Sequence, residues 1–338
     1  MASLRTYVIV RTLMTIPIVL ILLTLVFIIL RVMPGDPITS MVGMKAPPEY
    51  IEMLKEKAGL NKPLIIQYFD YLFGILRGDF GRSLIWGERP VLYEIFDHLP
   101  ATIELTMFGF TVSIIIGLIT GTIAGVKSGT KTDNALRIYS ILAYATFIPW
   151  LGMMFQLIFG VYFKLLPVSG RIEPSLTIDW KPVTGLYVLD GILTGRLDIT
   201  IDALKHLILP SLTLGIVLSG AYTRLVRANI IEVLGQDFVR AAKARGLSEI
   251  RVLRHVLKNA FIPVLTMMGL QFAILLTGAV LTETTFSWPG MGTFLLERIK
   301  YVDYTTIQGT IVFFALFVSI VNLVVDVLYA LIDPRIRY

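Results

Sequence analysis

The 338-residue chain has no cysteine, so disulfides and cysteine-held metal are excluded from the start. It has three histidines, His98, His206 and His255, which lie far apart and share no ligand spacing with acidic residues. That arrangement argues against a histidine metal site. No G-x-x-x-x-G-K-[ST] phosphate loop is present, the nearest string being Gly125-Val126-Lys127-Ser128 with the wrong spacing. ATP hydrolysis by that route is therefore absent, and no G-x-S-x-G nucleophile elbow suggests an alternative chemistry. Nothing in the chain calls for a cofactor. Charge is also scarce, at 16% of residues against 55% hydrophobic, with a mean hydropathy of +0.76. A soluble globular domain is excluded by that balance, leaving an integral membrane protein.

Six stretches contain no Asp, Glu, Lys, Arg or His: Thr12–Leu30, Leu105–Val126, Ile138–Phe163, Leu207–Thr223, Asn259–Thr282 and Tyr304–Val325. Each has about the 17–25 residues that a helix needs to cross the hydrocarbon core. Alternating ten-residue segments of the kind that build a membrane β-barrel are not seen. The expected fold is an all-α integral membrane protein with six transmembrane helices and long outer loops. The first span reads as a retained helix rather than a removable signal peptide. Its apolar run is too long, and Arg31-Val32-Met33-Pro34 follows it instead of a small-residue cleavage pattern.

The net charge of +6 is unevenly placed. With the N-terminus in the cytoplasm, the inner segments 1–11, 127–137, 224–258 and 326–338 hold 15 Lys/Arg and six acids in 70 residues. The outer segments 31–104, 164–206 and 283–303 hold 15 Lys/Arg and 18 acids in 138 residues. Basic density is thus about twofold higher inside, as the positive-inside rule requires. Both termini are expected to be cytoplasmic, in the plasma (inner) membrane of a prokaryote. The basic excess needs no nucleic acid to explain it.

The two first outer loops are long. In the loop 31–104, Pro47-Pro48 and Pro63 are each placed to start a helix. Leu64, Tyr68, Tyr71, Leu72 and Ile75 share a face of the second helix, which suits the membrane interface. The loop 164–206 reads as irregular, with a short strand at Leu186–Val188. Residues 45–95 and parts of 167–200 are expected to form an outer docking platform or, failing that, a lid.

Within the spans, Gly109, Ser113, Gly117, Gly121 and Gly125 recur every four residues. Small residues at this spacing let a neighbouring helix come close, either as fixed packing or as a gliding surface. Pro149 and Pro210 are expected to kink the third and fourth spans. Gln156, Gln271 and Asn322 are the strongly polar groups well inside spans, read as interhelical hydrogen bonds before pathway contacts.

The inner loop 224–258 carries Arg240-Ala241-Ala242-Lys243-Ala244-Arg245-Gly246-Leu247-Ser248. It reads as two short helices broken at Gly246, which suits the left-handed position after a helix end, with Leu247 packing back near Ala242. Ser248 is placed to cap the second helix, whose Val252, Leu253, Val256 and Leu257 share a face. The alanines leave a shallow surface that a partner's backbone can approach.

Ala241-Ala242 with Gly246, in the largest inner loop before the fifth span, resembles the coupling motif of ABC-importer permeases. Pro34-Gly35-Asp36-Pro37, Asn61-Lys62-Pro63-Leu64 with Gln67-Tyr68, and Gly78-Asp79-Phe80-Gly81-Arg82-Ser83 narrow the resemblance. So do Phe286-Ser287-Trp288-Pro289-Gly290-Met291-Gly292 and Asp333-Pro334-Arg335-Ile336-Arg337. As a set these look like the B-type permease subunit of dipeptide, oligopeptide and nickel importers. Two departures stand out: Arg240 replaces the glutamate of the broad motif, and the downstream I-x-L-P spacing is not met, Pro263 coming later. The resemblance implies a type I permease fold over 1–338 and half of a translocation pathway for di- or oligopeptides, with oligosaccharides or nickel chelates as alternative cargo. It also implies a second homologous permease, two cytoplasmic ATP-binding subunits and an external solute-binding protein, with no catalytic residue in this chain. A self-sufficient secondary carrier and a membrane-embedded enzyme are the competing classes.

Overall fold

The computed structural model describes residues 4–32, 47–57, 59, 61–83 and 87–332. Pro34-Gly35-Asp36-Pro37 and Asp333-Pro334-Arg335-Ile336-Arg337 lie outside the described residues. Helices dominate: α1 (Leu4–Val32), α2 (Pro48–Lys57), α3 (Leu64–Leu76), α4 (Val91–Val126), α5 (Lys131–Ala145), α6 (Ile148–Phe155) and a π-helical turn over Gln156–Tyr162. They continue with α7 (Tyr187–Leu193), α8 (Leu197–Leu234), α9 (Asp237–Ala244), α10 (Glu249–Gly278), α11 (Val280–Thr285), α12 (Met291–Lys300) and α13 (Tyr304–Ile332). Among the described residues there is no β-strand, only one isolated bridge between Arg82 and Pro90.

Among the described residues, four helices are long and apolar enough to cross a membrane: α1 over Val8–Ile29, α4, α8, and α13 over Tyr304–Val327. The helices α5 and α6 are together apolar enough for a further crossing but meet at 101°, the geometry of a broken span or of a re-entrant loop. Pro149 was expected to kink a single helix here. Instead the chain leaves helical geometry at Thr146 and Phe147, both with extended backbone, and Pro149 sits in the first turn of α6, where its missing N–H costs nothing. The remaining apolar stretch, Asn259–Thr282, runs through α10 into α11.

The chain divides into two compact units, residues 1–99 with 291–338, and residues 100–290. In the first, α1 packs along α13 around Leu23, Val26 and Val312. Pro63 precedes α3, as the sequence suggests, and α3 lays its tyrosines on α1. Tyr68 Oη is 2.7 Å from Thr24 Oγ1, Tyr71 donates to the Leu23 carbonyl at 3.2 Å, and both rings lie on Phe27. The opposite face, with Ile65, Phe69, Phe73 and Leu76, is exposed and apolar. The motif Gly78–Ser83 docks on the start of α13. Ser83 and Thr306 both donate to Asp303 Oδ2, at 2.6 and 2.7 Å, and a Cβ on Gly81 would collide with Thr305.

In the second unit α8 is the central strut, flanked by α5, α7 and α10. The small residues of α4 face α8 in register. A Cβ on Gly109 would stand 3.0 Å from Leu214, one on Gly121 2.6 Å from Val226, and one on Gly125 2.8 Å from Ile230, while one on Gly117 would collide with Tyr222. Large residues every four positions on α8 thus fill the groove left by small residues every four positions on α4.

The strand expected at Leu186–Val188 is absent: Tyr187 and Val188 open α7. The reason is Asp190, a fully buried carboxylate that gathers the N–H groups of Val183, Thr184 and Gly185 and the Thr184 hydroxyl at 2.7–3.1 Å. That cluster ties down the loop that leads into the helix, whose N-cap residue Leu186 makes no side-chain capping bond. A second buried tie holds the same loop to α4: Arg171 Nε donates to Glu104 Oε2 at 2.9 Å, and Val188 N to Glu104 Oε1 at 2.9 Å.

Candidate functional site: the basic loop 224–258

α8 carries the chain eleven residues past Thr223 to Leu234, so the first third of 224–258 is a continuation of that span. After Gly235 and Gln236, α9 begins at Asp237, an acid suited to a helix N-terminus. α9 ends as a Schellman motif: Gly246 N donates to Lys243 O at 2.9 Å and Leu247 N to Ala242 O at 3.3 Å, with Gly246 at φ +76°. Leu247 and Ala242 pack on one apolar cluster with Val239, Val252 and Val256. A Cβ on Gly246 would meet nothing within 4 Å, so glycine is needed there for its backbone and not for space.

Ser248 occupies the N-cap position of α10 with extended backbone, but its side chain makes no capping hydrogen bond; its carbonyl accepts from Arg251 and Val252 instead. The second helix is not short either. α10 continues unbroken from Glu249 to Gly278, because neither glycine nor a pair of breakers interrupts it before the span, and Pro263 is accommodated inside. The end of the loop and the apolar stretch that follows it are thus one continuous helix. Val252 and Val256 are buried, Leu253 is half-buried and Leu257 is 37% exposed.

What faces outward is as informative as what is buried. Arg240, Ala241, Lys243, Ala244, Arg245, Gly246 and Ser248 are exposed, while Ala242 and Leu247 are half-buried against the cluster. Arg240 lies 3.8 Å from Asp237 with both side chains in the open, a contact too exposed to fix anything. Two apolar residues stand out in this basic surface: Phe238 at 37% and Ile250 at 77% exposure. The sequence singles out neither; their exposure follows from the direction of the α9–α10 turn.

A strut beside the loop was also not legible in advance. Arg227, near the C-terminal end of α8, donates two hydrogen bonds to Asp133 of α5, at 2.6 and 2.8 Å, and Asp133 is 1% exposed. Asp133 further accepts from Gly129 N, and Thr130 caps α5 through Asp133 N. The pair ties the start of α5 to the helix that leads into α9.

Of the polar residues within spans, Gln156 donates to the carbonyls of Val168 and Thr285 at 2.7 and 2.9 Å. It fastens the π-helical turn, a geometry that often marks functional positions, to the segments that follow it. Gln271 and Asn322 are half-buried, in the second and first unit respectively, and form no hydrogen bond to another described residue. In the segment 283–290, Glu283, Phe286, Trp288 and Gly290 are buried while Thr284, Ser287 and Pro289 are exposed; Trp288 donates to Ala101 O at 2.8 Å, and Thr102 donates to Glu283 Oε1 at 2.6 Å. Gly290 lies so close to the Glu283 carboxylate that any side chain would collide with it.

Comparison with known proteins agrees with this architecture. Residues 95–338 match the family model described as binding-protein-dependent transport system inner membrane component, and residues 4–106 match its N-terminal companion. The dipeptide transport system permease protein of Alkalihalophilus pseudofirmus is 40% identical over 329 residues, 97% of this chain and 98% of that protein. The di/tripeptide transport system permease protein of Pseudomonas aeruginosa is 41% identical, covering 93% of each chain. The glutathione transport system permease protein of Escherichia coli is 37% identical, covering 98% of this chain and 99% of its own.

Proposed function

Because the chain belongs to the binding-protein-dependent transport system inner membrane components, we propose that it forms half of the pathway of an ATP-driven importer for di- or oligopeptides. The observation that carries the peptide assignment is the identity of 40% and 41%, over nearly whole chains, to permeases named for dipeptides and di/tripeptides. As a multi-pass permease subunit it supplies no ATPase. In this reading a second homologous permease completes the pathway, two cytoplasmic ATP-binding subunits drive it, and an external solute-binding protein delivers the cargo.

The loop 224–258 is the element on which the ATP-binding subunits would act. Phe238 and Ile250 offer apolar anchors within a basic rim, and Ala241 and Gly246 allow a close approach of backbone. Since α10 is continuous from Glu249 into the membrane, a push on this surface is transmitted along a rigid helix. Alternating access then follows from re-packing of spans between two states. Oligosaccharide or nickel-chelate uptake would use the same machinery with other cargo.

The test is reconstitution in liposomes. With partner chains present, peptide uptake should require ATP and the binding protein, and this chain alone should neither hydrolyse ATP nor accumulate peptide. Ion-gradient-driven uptake by the chain alone would establish a secondary carrier instead.

A further inference from the structure

Arg31 follows the last residue of the apolar run of α1, Ile29, by two positions, which puts it at the level of a bilayer's phosphates. Its guanidinium carbon stands 5.6 Å from the Phe27 ring centre and 5.3 Å from that of Tyr304. Both Nε and Nη1 are buried and find no acceptor among the described residues. A half-buried guanidinium with two buried, unused donor atoms is costly, and a site that keeps one is suited to an anion from outside the chain. Arg31 lines a cavity of about 260 Å³ together with Gln67, Tyr71, Thr305 and Gln308. The two carboxylates of the lining have partners of their own: Asp70 takes Lys62 Nζ at 2.6 Å and Asp79 takes Gly81 N at 2.9 Å.

A second space opens along the same helices. It is an apolar groove of about 330 Å³, lined by α1 from Thr12 to Leu23, by Leu72, Ile75 and Leu76 of α3, and by Leu316 and Leu323 of α13. Ile75 lines both spaces, so the polar cavity and the apolar groove meet there. From Arg31 to Val19 is about 18 Å along the helix axis, close to the roughly 15 Å depth of one leaflet's acyl chains. An anion alone would leave the groove empty, and a hydrocarbon alone would leave Arg31 unpartnered. A ligand that satisfies both has a phosphate head and a long apolar tail.

We propose that the seam between α1, α3 and α13 binds one membrane phospholipid, its phosphate on Arg31 and one acyl chain in the groove beneath α3. The aromatic rings on either side of Arg31 narrow the choice of partner to a group that can reach the guanidinium edge, which a phosphate oxygen can. The bound lipid would act as a fixed spacer between α1 and α13.

The test is native mass spectrometry of the full-length chain, in the assembly in which it is extracted from membranes, delipidated and then titrated with phosphatidylglycerol. The expected result is one retained phosphatidylglycerol per chain, reduced at least tenfold by Arg31→Gln and within threefold of wild type in Arg31→Lys. Leu20→Trp, at a position 44% exposed on the groove, leaves Arg31 intact and should also reduce retention at least tenfold. Dioleoylglycerol, which lacks the phosphate, and glycerol phosphate, which lacks the chains, should each bind at least tenfold more weakly. Retention unchanged in both Arg31→Gln and Leu20→Trp would overturn the proposal. So would equal binding of glycerol phosphate, which would mark a site for a free anion, and so would a wild-type chain that retains no phospholipid.

Discussion

At the scale of single residues, Gly246 shows how a local rule becomes a functional constraint. Its φ of +76° is available to glycine, modestly to asparagine and poorly to other residues, at roughly 1–2 kcal/mol. Because no atom lies within 4 Å of an added Cβ, a side chain there would project from the loop into the space a partner needs. Gly246→Leu should therefore insert normally yet reduce ATP-dependent peptide uptake at least tenfold, whereas Gly246→Asn, smaller and tolerant of the backbone, should retain more than a third of it. Equal uptake by wild type and Gly246→Leu, measured at matched membrane levels, would remove the loop from coupling. Ala241→Arg is a cleaner companion than a change at Ala242, since Ala241 is exposed while Ala242 packs on the cluster beneath and would report folding as well as docking. The turn was legible in the sequence because its signal lies within a few residues: alanines, a glycine and a leucine at Schellman spacing. The Asp133–Arg227 and Glu104–Arg171 pairs were not, because their partners are 94 and 67 positions apart and nothing local distinguishes them from ordinary loop charges.

At the scale of elements, the decisive contact is the small-residue face of α4 on the large-residue face of α8. In lipid, helices gain little from hydrophobic burial against each other, and close van der Waals packing takes its place. A leucine at Gly117 would drive into Tyr222, a fully buried residue with nowhere to move, and overpacking of this kind typically costs about 1–3 kcal/mol. Gly117→Leu should therefore lower the thermal midpoint in detergent by several degrees and reduce yield. Gly129→Ala, in the turn before α5 where an added Cβ meets nothing within 4 Å, should lower it less, through its φ of +81° alone. A Gly117→Leu protein as heat-stable as wild type would show that the α4–α8 seam is loose. The periodicity of α4 was readable because it repeats, and so were the proline-started α3 and the long spans. The 101° break between α5 and α6 and the helix at Tyr187 were not, since each depends on tertiary ties. Gln156 holds the π-helical turn to distant carbonyls, and Asp190 collects the donors of a loop it must first meet. A kinked span and a short strand were reasonable readings of propensity that these ties override.

At the scale of the whole molecule, the charge asymmetry fixes the expected orientation, and the absence of native cysteine makes it simple to test. Lys131→Cys and Ser248→Cys should react with an impermeant thiol reagent only from the cytoplasmic side, and Glu88→Cys and Lys181→Cys only from outside. Position 181 is exposed, so its replacement leaves the loop held by the buried Asp190 intact. External labelling at 248 would invert the topology and with it the coupling surface. If the orientation stands, the long segments 31–104 and 164–206 face the compartment from which cargo arrives, and they are far longer than connectors need be. Glu49 and Glu52 lie exposed on α2, and Glu88 is exposed in the turn before α4. If these acids help to seat the solute-binding protein, reversing all three to lysine should cut binding-protein-stimulated ATP hydrolysis several-fold while basal hydrolysis is unchanged. The loss should be greatest at low salt and shrink as ionic strength rises, because contacts between exposed charges are screened beyond about 8–10 Å at physiological salt. Stimulation by the triple reversal that matches wild type at every salt concentration would place the docking surface elsewhere on the outer face.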